Sequence, residues 1–154
     1  VVLRLAQEVP GIAAVKEASG NPGQFMEILR AIAAGTQGWK SPNFVLLLGD
    51  DAVTLPFIPL GATGCISVVA NETPREFSEM IAAALAGNYS RAAQLHFKIL
   101  SLININFIET NPLPVKTALA LMGKIKPVFR LPLVPMQPAN VEKLKKVLSE
   151  LQLI

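Results

Sequence analysis

A lysine, a pair of adjacent carboxylates, one cysteine and one histidine are the side chains of this chain whose types and placement bear most on chemistry. Lys16 comes after the apolar run Ile12, Ala13, Ala14, Val15. A lysine at the end of a buried strand is partly stripped of water, which favours the neutral amine, a nucleophile suited to forming a Schiff base with a carbonyl. The plainer alternative is a snorkelling or ion-paired lysine that only closes the strand. Asp50 and Asp51 come directly after Gly49. They read as charge and caps at a helix start rather than as an acid/base pair or metal ligands. Cys65 lies in the apolar run 65–69 and reads as a small core residue. His96 has no Cys, Asp or Glu at ligand spacing, so it reads as a helix-contact residue. Lys116 and Lys126 are weaker candidates than Lys16 for an imine, because no apolar strand precedes either. No metal and no cofactor is expected.

The elements that must hold these residues alternate in the first half. Residues 1–8 carry apolar positions at helical spacing, and Pro10-Gly11 ends that helix and opens the strand that leads to Lys16. Residues 12–15 have no outward polar position, as in a parallel strand covered on both faces. Ser19-Gly20-Asn21-Pro22 makes a turn and a helix start, and Phe25, Met26, Ile28, Leu29, Ile32 and Ala33 repeat on one helical face through about residue 34. A polar loop occupies 35–43, with Trp39 read as a local embellishment. Residues 44–48 form the second strand, a short helical piece spans about 51–59, and 65–69 form the third strand. Thr73-Pro74-Arg75-Glu76 has the pattern of a capping box, so a helix is expected from Thr73 to Gly87 with Glu76 reaching back. Three βα units in this order give a parallel sheet with right-handed crossovers. From residue 89 onward helices are expected at about 89–107, 112–122 and 139–152, the second capped by Thr110 or Asn111. The division falls at 1–88 and 89–154.

Four motifs, taken in order, resemble the dihydrodipicolinate synthase family, within the wider N-acetylneuraminate lyase group: Lys16-Glu17-Ala18-Ser19-Gly20, Gly49-Asp50-Asp51, Gly64-Cys65-Ile66-Ser67-Val68 with Ala70-Asn71, and Glu109-Thr110-Asn111-Pro112-Leu113-Pro114-Val115-Lys116. The resemblance implies the last three βα units of a TIM (β/α)8 barrel plus a C-terminal helical region, an α/β fold with catalytic groups at the strand ends. It implies a class I, Schiff-base lyase that condenses pyruvate with aspartate 4-semialdehyde in lysine (diaminopimelate) biosynthesis. Lys16 would form the pyruvate imine, and Gly49 and Ile66 would contact the substrate. By the same resemblance a proton-relay tyrosine, a pair of threonines and an arginine belong to earlier strands. They have no counterpart here: Tyr89, the sole tyrosine, lies past the third strand. The chain is therefore expected to be a C-terminal portion that needs the N-terminal remainder of the barrel, and to be inactive alone. Two other readings stand beside this one. One is a pyruvate-dependent aldolase acting on N-acetylneuraminate or a 2-keto-3-deoxy sugar acid; the other is a catalytically silent structural or assembly piece.

The totals set bounds on these readings. The resemblance implies a homotetramer or homodimer, and a chain of 154 residues, 51% hydrophobic and only 16% charged, agrees with apolar contacts outside itself. A formal net charge of +3, with basic residues scattered, leaves no nucleic-acid footprint. Asp50, Asp51 and the prolines interrupt the most hydrophobic region, so no membrane span is expected. A single cysteine points to a reducing, cytoplasmic setting, without disulfide or zinc cluster. No secretory leader pattern opens the chain, and Val1 in place of an initiator Met fits an N-terminus removed upstream.

Overall fold

The computed structural model describes residues 1–154. Its elements in chain order are α1 (Val2–Glu8), β1 (Ala14–Glu17), α2 (Pro22–Ala33), β2 (Val45–Leu48), α3 (Asp51–Phe57), β3 (Gly64–Cys65), α4 (Pro74–Leu85), α5 (Tyr89–Ile105), α6 (Leu113–Leu121) and α7 (Pro138–Glu150). Single 3-10 turns lie at Ile58–Leu60 and Val69–Asn71. The three strands form one parallel sheet in the order β1-β2-β3. The register pairs Lys16 with Leu47 and Leu47 with Gly64.

Side-chain alternation divides that sheet into two unlike faces. Leu46 and Leu48, both at 0% exposure, face the helices with Glu17. Val45 and Leu47 face the other way and are only half-buried, because the helices of this chain do not close that side. α2 seats Phe25, Ile28 and Leu29 on the covered face, with Phe25 edge-on to Phe57 at 5.1 Å between ring centroids. Asn21 caps α2, its side-chain oxygen accepting from Gly23 N and Gln24 N, and Pro22 occupies the first helical position where no N–H is missed.

Strand limits differ from the sequence-based expectation. β1 begins at Ala14 rather than Ile12 because β2, its pairing partner, begins at Val45; Ala13 contributes only its carbonyl, to Val45 N. β3 stops at Cys65 and does not run to Val69. The amides of Val68 and Val69 turn away from the sheet to the carboxylate of Asp51, at 3.0 and 2.9 Å, and the backbone passes into a 3-10 turn. The capping box is also replaced. Thr73 makes no side-chain cap and donates its hydroxyl to Val69 O, while Glu76 pairs with Lys98 on α5 at 3.1 Å instead of reaching back. Neither Thr110 nor Asn111 caps α6; Thr110 offers its carbonyl to Leu113 N, and Pro112 stands at the cap position.

The later helices pack on the sheet's helical layer and share its core. One apolar cluster runs from Ala6 through Leu46, Met80, Ile99 and Leu102 to Leu148, crossing residue 88 without a gap. Glu109 ties the α5–α6 connection to the start of α7, its Oε1 accepting from Gln137 N (3.0 Å) and Asn140 Nδ2 (2.9 Å). Where α5 ends, Asn106 donates to Glu72 Oε2 at 2.6 Å; the two side chains are 0% and 3% exposed, and no hydrogen-bond partner satisfies Glu72 Oε1 or Asn106 Oδ1. Burial pushes the Glu72 carboxyl up to about 8, against the hydrogen bond from Asn106, and the charge of Asp51 adds to the rise.

A raised carboxyl pKa favours the protonated group in the folded chain. Its contribution is fully present below the ordinary value of 4.5 and is lost as pH rises through about 8, above which no further loss accrues. Denaturant unfolding measured from pH 5 to pH 8 is expected to show stability falling on the order of a few kcal/mol, and Glu72→Gln should remove most of that slope. An unchanged slope in the variant would show that Glu72 is not the group responsible.

Candidate functional site

β1 carries Lys16 on the less covered face, and its pairing with Leu47 brings that face of β2 alongside. Alternation then places Gly49, two residues beyond Leu47, on the same side, and Ile66, two residues beyond Gly64, next to it. The ladder continues past the strand ends: Gly49 N donates to Glu17 O and Ile66 N to Leu48 O, each at 2.8 Å. Lys16, Gly49 and Ile66 thus emerge together at the C-terminal ends of three neighbouring parallel strands.

Gly49 is there because nothing larger fits. A Cβ on this residue would overlap the Cβ of Ala18 and come within 2.9 Å of Lys16 Cε. The lysine's aliphatic stem therefore lies across the backbone at Gly49. Lys16 itself is exposed, which corrects the expectation of a lysine enclosed by its own strand: the half-covered face gives it no roof. Ile66 is likewise open, at 48% exposure, while its neighbour Val69 is fully buried.

The groups around this site are satisfied and fixed. Glu17, one residue after Lys16, turns to the helical side, where its carboxylate accepts from Ser19 N (2.7 Å) and Gln24 Nε2 (2.6 Å). Burial alone would raise its pKa, but the hydrogen bonds from Gln24 and Ser19 outweigh it and hold the carboxyl below the usual range. The turn after Lys16 is thereby pinned to the first turn of α2. Asp50 caps α3, accepting from Ala52 N at 2.9 Å, as its position after Gly49 suggested. Asp51 does something sequence reasoning missed. It is 1% exposed and, rather than serving its own helix, binds the amides of Val68 and Val69, with Cys65 Sγ 3.4 Å from its other oxygen. Those partners lie 17 and 18 residues away, so no local pattern marks them.

Other chemistry-bearing side chains are engaged elsewhere. Burial, with Asp51 adding its charge, pushes the Cys65 thiol up to about 12, leaving it without nucleophilic character. His96 is 8% exposed on the inner side of α5, packed edge-on to Phe97, and burial lowers its pKa. The amine of Lys116 donates to Val128 O at 2.6 Å and lies 5.0 Å from the Phe129 ring centroid, so it staples the 124–130 segment. Lys126 is exposed in that segment, and Tyr89 opens α5. Trp39 leans on Phe44. No group of three or more His, Cys, Asp or Glu side chains is placed to hold a metal ion, and no helix is long and apolar enough to cross a membrane.

A family model described as the dihydrodipicolinate synthetase family matches residues 1–151. The chain belongs to this family. A 4-hydroxy-tetrahydrodipicolinate synthase of Koribacter versatilis (strain Ellin345) is 46% identical over 149 residues, covering 97% of this chain and 47% of the relative. The same-named protein of Hydrogenobaculum sp. (strain Y04AAS1) is 46% identical over 151 residues, covering 98% and 49%. Among solved structures, the dihydrodipicolinate synthase from Aquifex aeolicus superposes with a TM-score of 0.89 at 42% identity, over 99% of this chain and 49% of that one. The chain spans about half the length of the relatives it matches. Within the dihydrodipicolinate synthetase family the three βα units are part of a TIM barrel, which accounts for the unlike faces of the sheet: the side bearing Lys16 is the barrel's interior.

Gly49→Ala tests the close packing at this strand end. The added methyl meets backbone-fixed Ala18 as well as the lysine stem, and overpacking of this kind costs about 1–3 kcal/mol. A fall of several degrees in Tm is expected. A Tm equal to that of the parent would mean that Ala18 and the lysine stem do not crowd Gly49.

Proposed function

We propose that this chain is the C-terminal portion of a Schiff-base lyase that condenses pyruvate with aspartate 4-semialdehyde in lysine biosynthesis. Lys16 is the nucleophile. The observation that carries this reading is the lysine at a parallel strand end, crossing Gly49 and joined at the same end of the sheet by Ile66, in a chain of this family. Nζ of Lys16 attacks the keto carbon of pyruvate, water leaves, and a protonated imine forms. That cation withdraws electrons from the adjacent methyl, which gives up a proton to become an enamine; the enamine carbon then bonds to the aldehyde carbon. Hydrolysis returns the amine. Gly49, with no side chain of its own, leaves room beside its backbone for the lysine stem and the acid it carries, and Ile66 packs against that acid.

The remainder of the barrel is the partner this reading requires. One apolar groove lies between β3 and α4, lined by Leu47, Gly64, Phe77 and Ile81, and another between α1 and α2, lined by Val2, Leu3 and Ile28. The first borders the unpaired strand β3, beside which a further strand would continue the barrel. The same remainder would roof Lys16 and exclude water from it. The division at residue 88 then separates barrel units from the helices of 89–154 that buttress them. A homo-oligomer and a cytoplasmic setting accord with the apolar surface and the single cysteine.

Borohydride added with pyruvate to the protein assembled with the remaining strands should reduce the imine and leave one pyruvyl adduct, mapped by peptide mass to Lys16. Lys16→Arg should give none. Absence of the adduct from the parent overturns the reading. Turnover of aspartate 4-semialdehyde, against none of N-acetylneuraminate, fixes the second substrate; the reverse selects the sugar-acid aldolase.

A further inference from the structure

We infer that Asp51 is a positioning residue for pyruvate, fixing Ile66 through the backbone that flanks it. The inference rests on the lyase reading above and adds a residue to it. Asp50 already caps α3, so the carboxylate of Asp51 is free of that task. It lies two residues after Gly49 and reaches across to the exit of β3, where Oδ2 accepts from Val68 N and Val69 N at 3.0 and 2.9 Å. Oδ1 stands 3.4 Å from Cys65 Sγ. These contacts bracket Ile66, with Cys65 before it and Val68 after it. The third tie is the hydrogen bond from Ile66 N to Leu48 O, the residue before Gly49.

Ile66 is thereby held at a set distance from the Gly49 backbone, although its own side chain is exposed and nothing packs it from above. A carboxylate taken out of water to 1% exposure is costly unless its acceptors are filled. Here two amides fill one oxygen, and the same bonds divert those amides from the sheet and end β3. Without them the 66–69 backbone is held by one hydrogen bond to β2, from Ile66 N to Leu48 O, and by the buried side chain of Val69. A displacement of about 1 Å at a binding contact can cost as much as ~100-fold in rate or affinity.

The test uses the protein assembled with the remaining strands. Asp51→Ala should raise KM for pyruvate about tenfold or more while kcat changes by less than about threefold, since the lost contact is made equally to bound pyruvate and to the imine formed from it. Asp51→Asn keeps an oxygen for both amides and should bring KM most of the way back. A residue of purely structural weight would lower the folded fraction and leave KM where it was. Should D51A not accumulate folded, Asp51→Ser carries the same comparison. In the parent, the Val68 and Val69 amides should exchange slowly with solvent deuterium and more slowly still with pyruvate; free exchange at both overturns the inference. A parent that forms no borohydride adduct on Lys16 removes the lyase reading and this inference with it. An adduct in the parent, with D51A at the parental KM, overturns the role of Asp51 alone.

Discussion

Everything at the candidate site depends on how close β2 comes to the side chain of Lys16. The stem of that lysine occupies space that any side chain at Gly49 would claim, so the strand end, the glycine and the amine form one steric unit. This one constraint acts in two ways. The lysine's direction is limited by a backbone rather than by a flexible neighbour, which reduces the rotamers open to it. Gly49 also has no side chain of its own, so in the proposed reaction a small acid carried by the amine would come near main-chain groups that a longer residue would screen.

The surrounding buried polar groups keep the steric unit in register. Glu17 fixes the turn after Lys16 to α2, Asp50 starts α3 directly after Gly49, and Asp51 joins that start to the exit of β3. Glu17 and Asp51 each span two elements that would otherwise be linked only through short strands of four, four and two residues. Strands this short contribute few ladder hydrogen bonds, so side-chain acceptors take over the work of setting where each strand stops. Further out, the Asn106–Glu72 bond ties the end of α5 to the turn after β3, so the helical region braces the same turn from behind.

The residues most readily read from sequence were those fixed by local pattern. Apolar runs bounded by glycine or proline located β1 and β2 to within two residues, and the helical repeat of Phe25, Ile28, Leu29 and Ile32 gave α2, although Met26 and Ala33, counted on the same face, are exposed. Lys16, Gly49 and Ile66 were singled out by motif, and pairing and alternation bring them to one face. The features that escaped were set by partners distant in sequence. The early end of β3 depends on Asp51 capturing two amides; the failed capping box depends on Lys98 claiming Glu76 and on Val69 O accepting from Thr73. Enclosure of Lys16 was expected from its apolar approach. The structure leaves it open because the covering surface of a barrel strand comes from other strands, and a run of apolar residues cannot say whether those are in the same chain.

That distinction bears on the surroundings of the amine. On the half-covered face the Coulomb influence of nearby carboxylates on Lys16 is screened by solvent. In the proposed assembly with the remaining strands, water would leave that face, and the dipoles already fixed around Gly49 would act in a medium of lower dielectric constant. The groups that set the geometry are present in this half, in place and hydrogen-bonded without any contribution from outside. Those that set the dielectric surroundings are not. The proposed chemistry therefore draws its geometry from this half and its dry surroundings from the remaining strands, with no local rearrangement of β1.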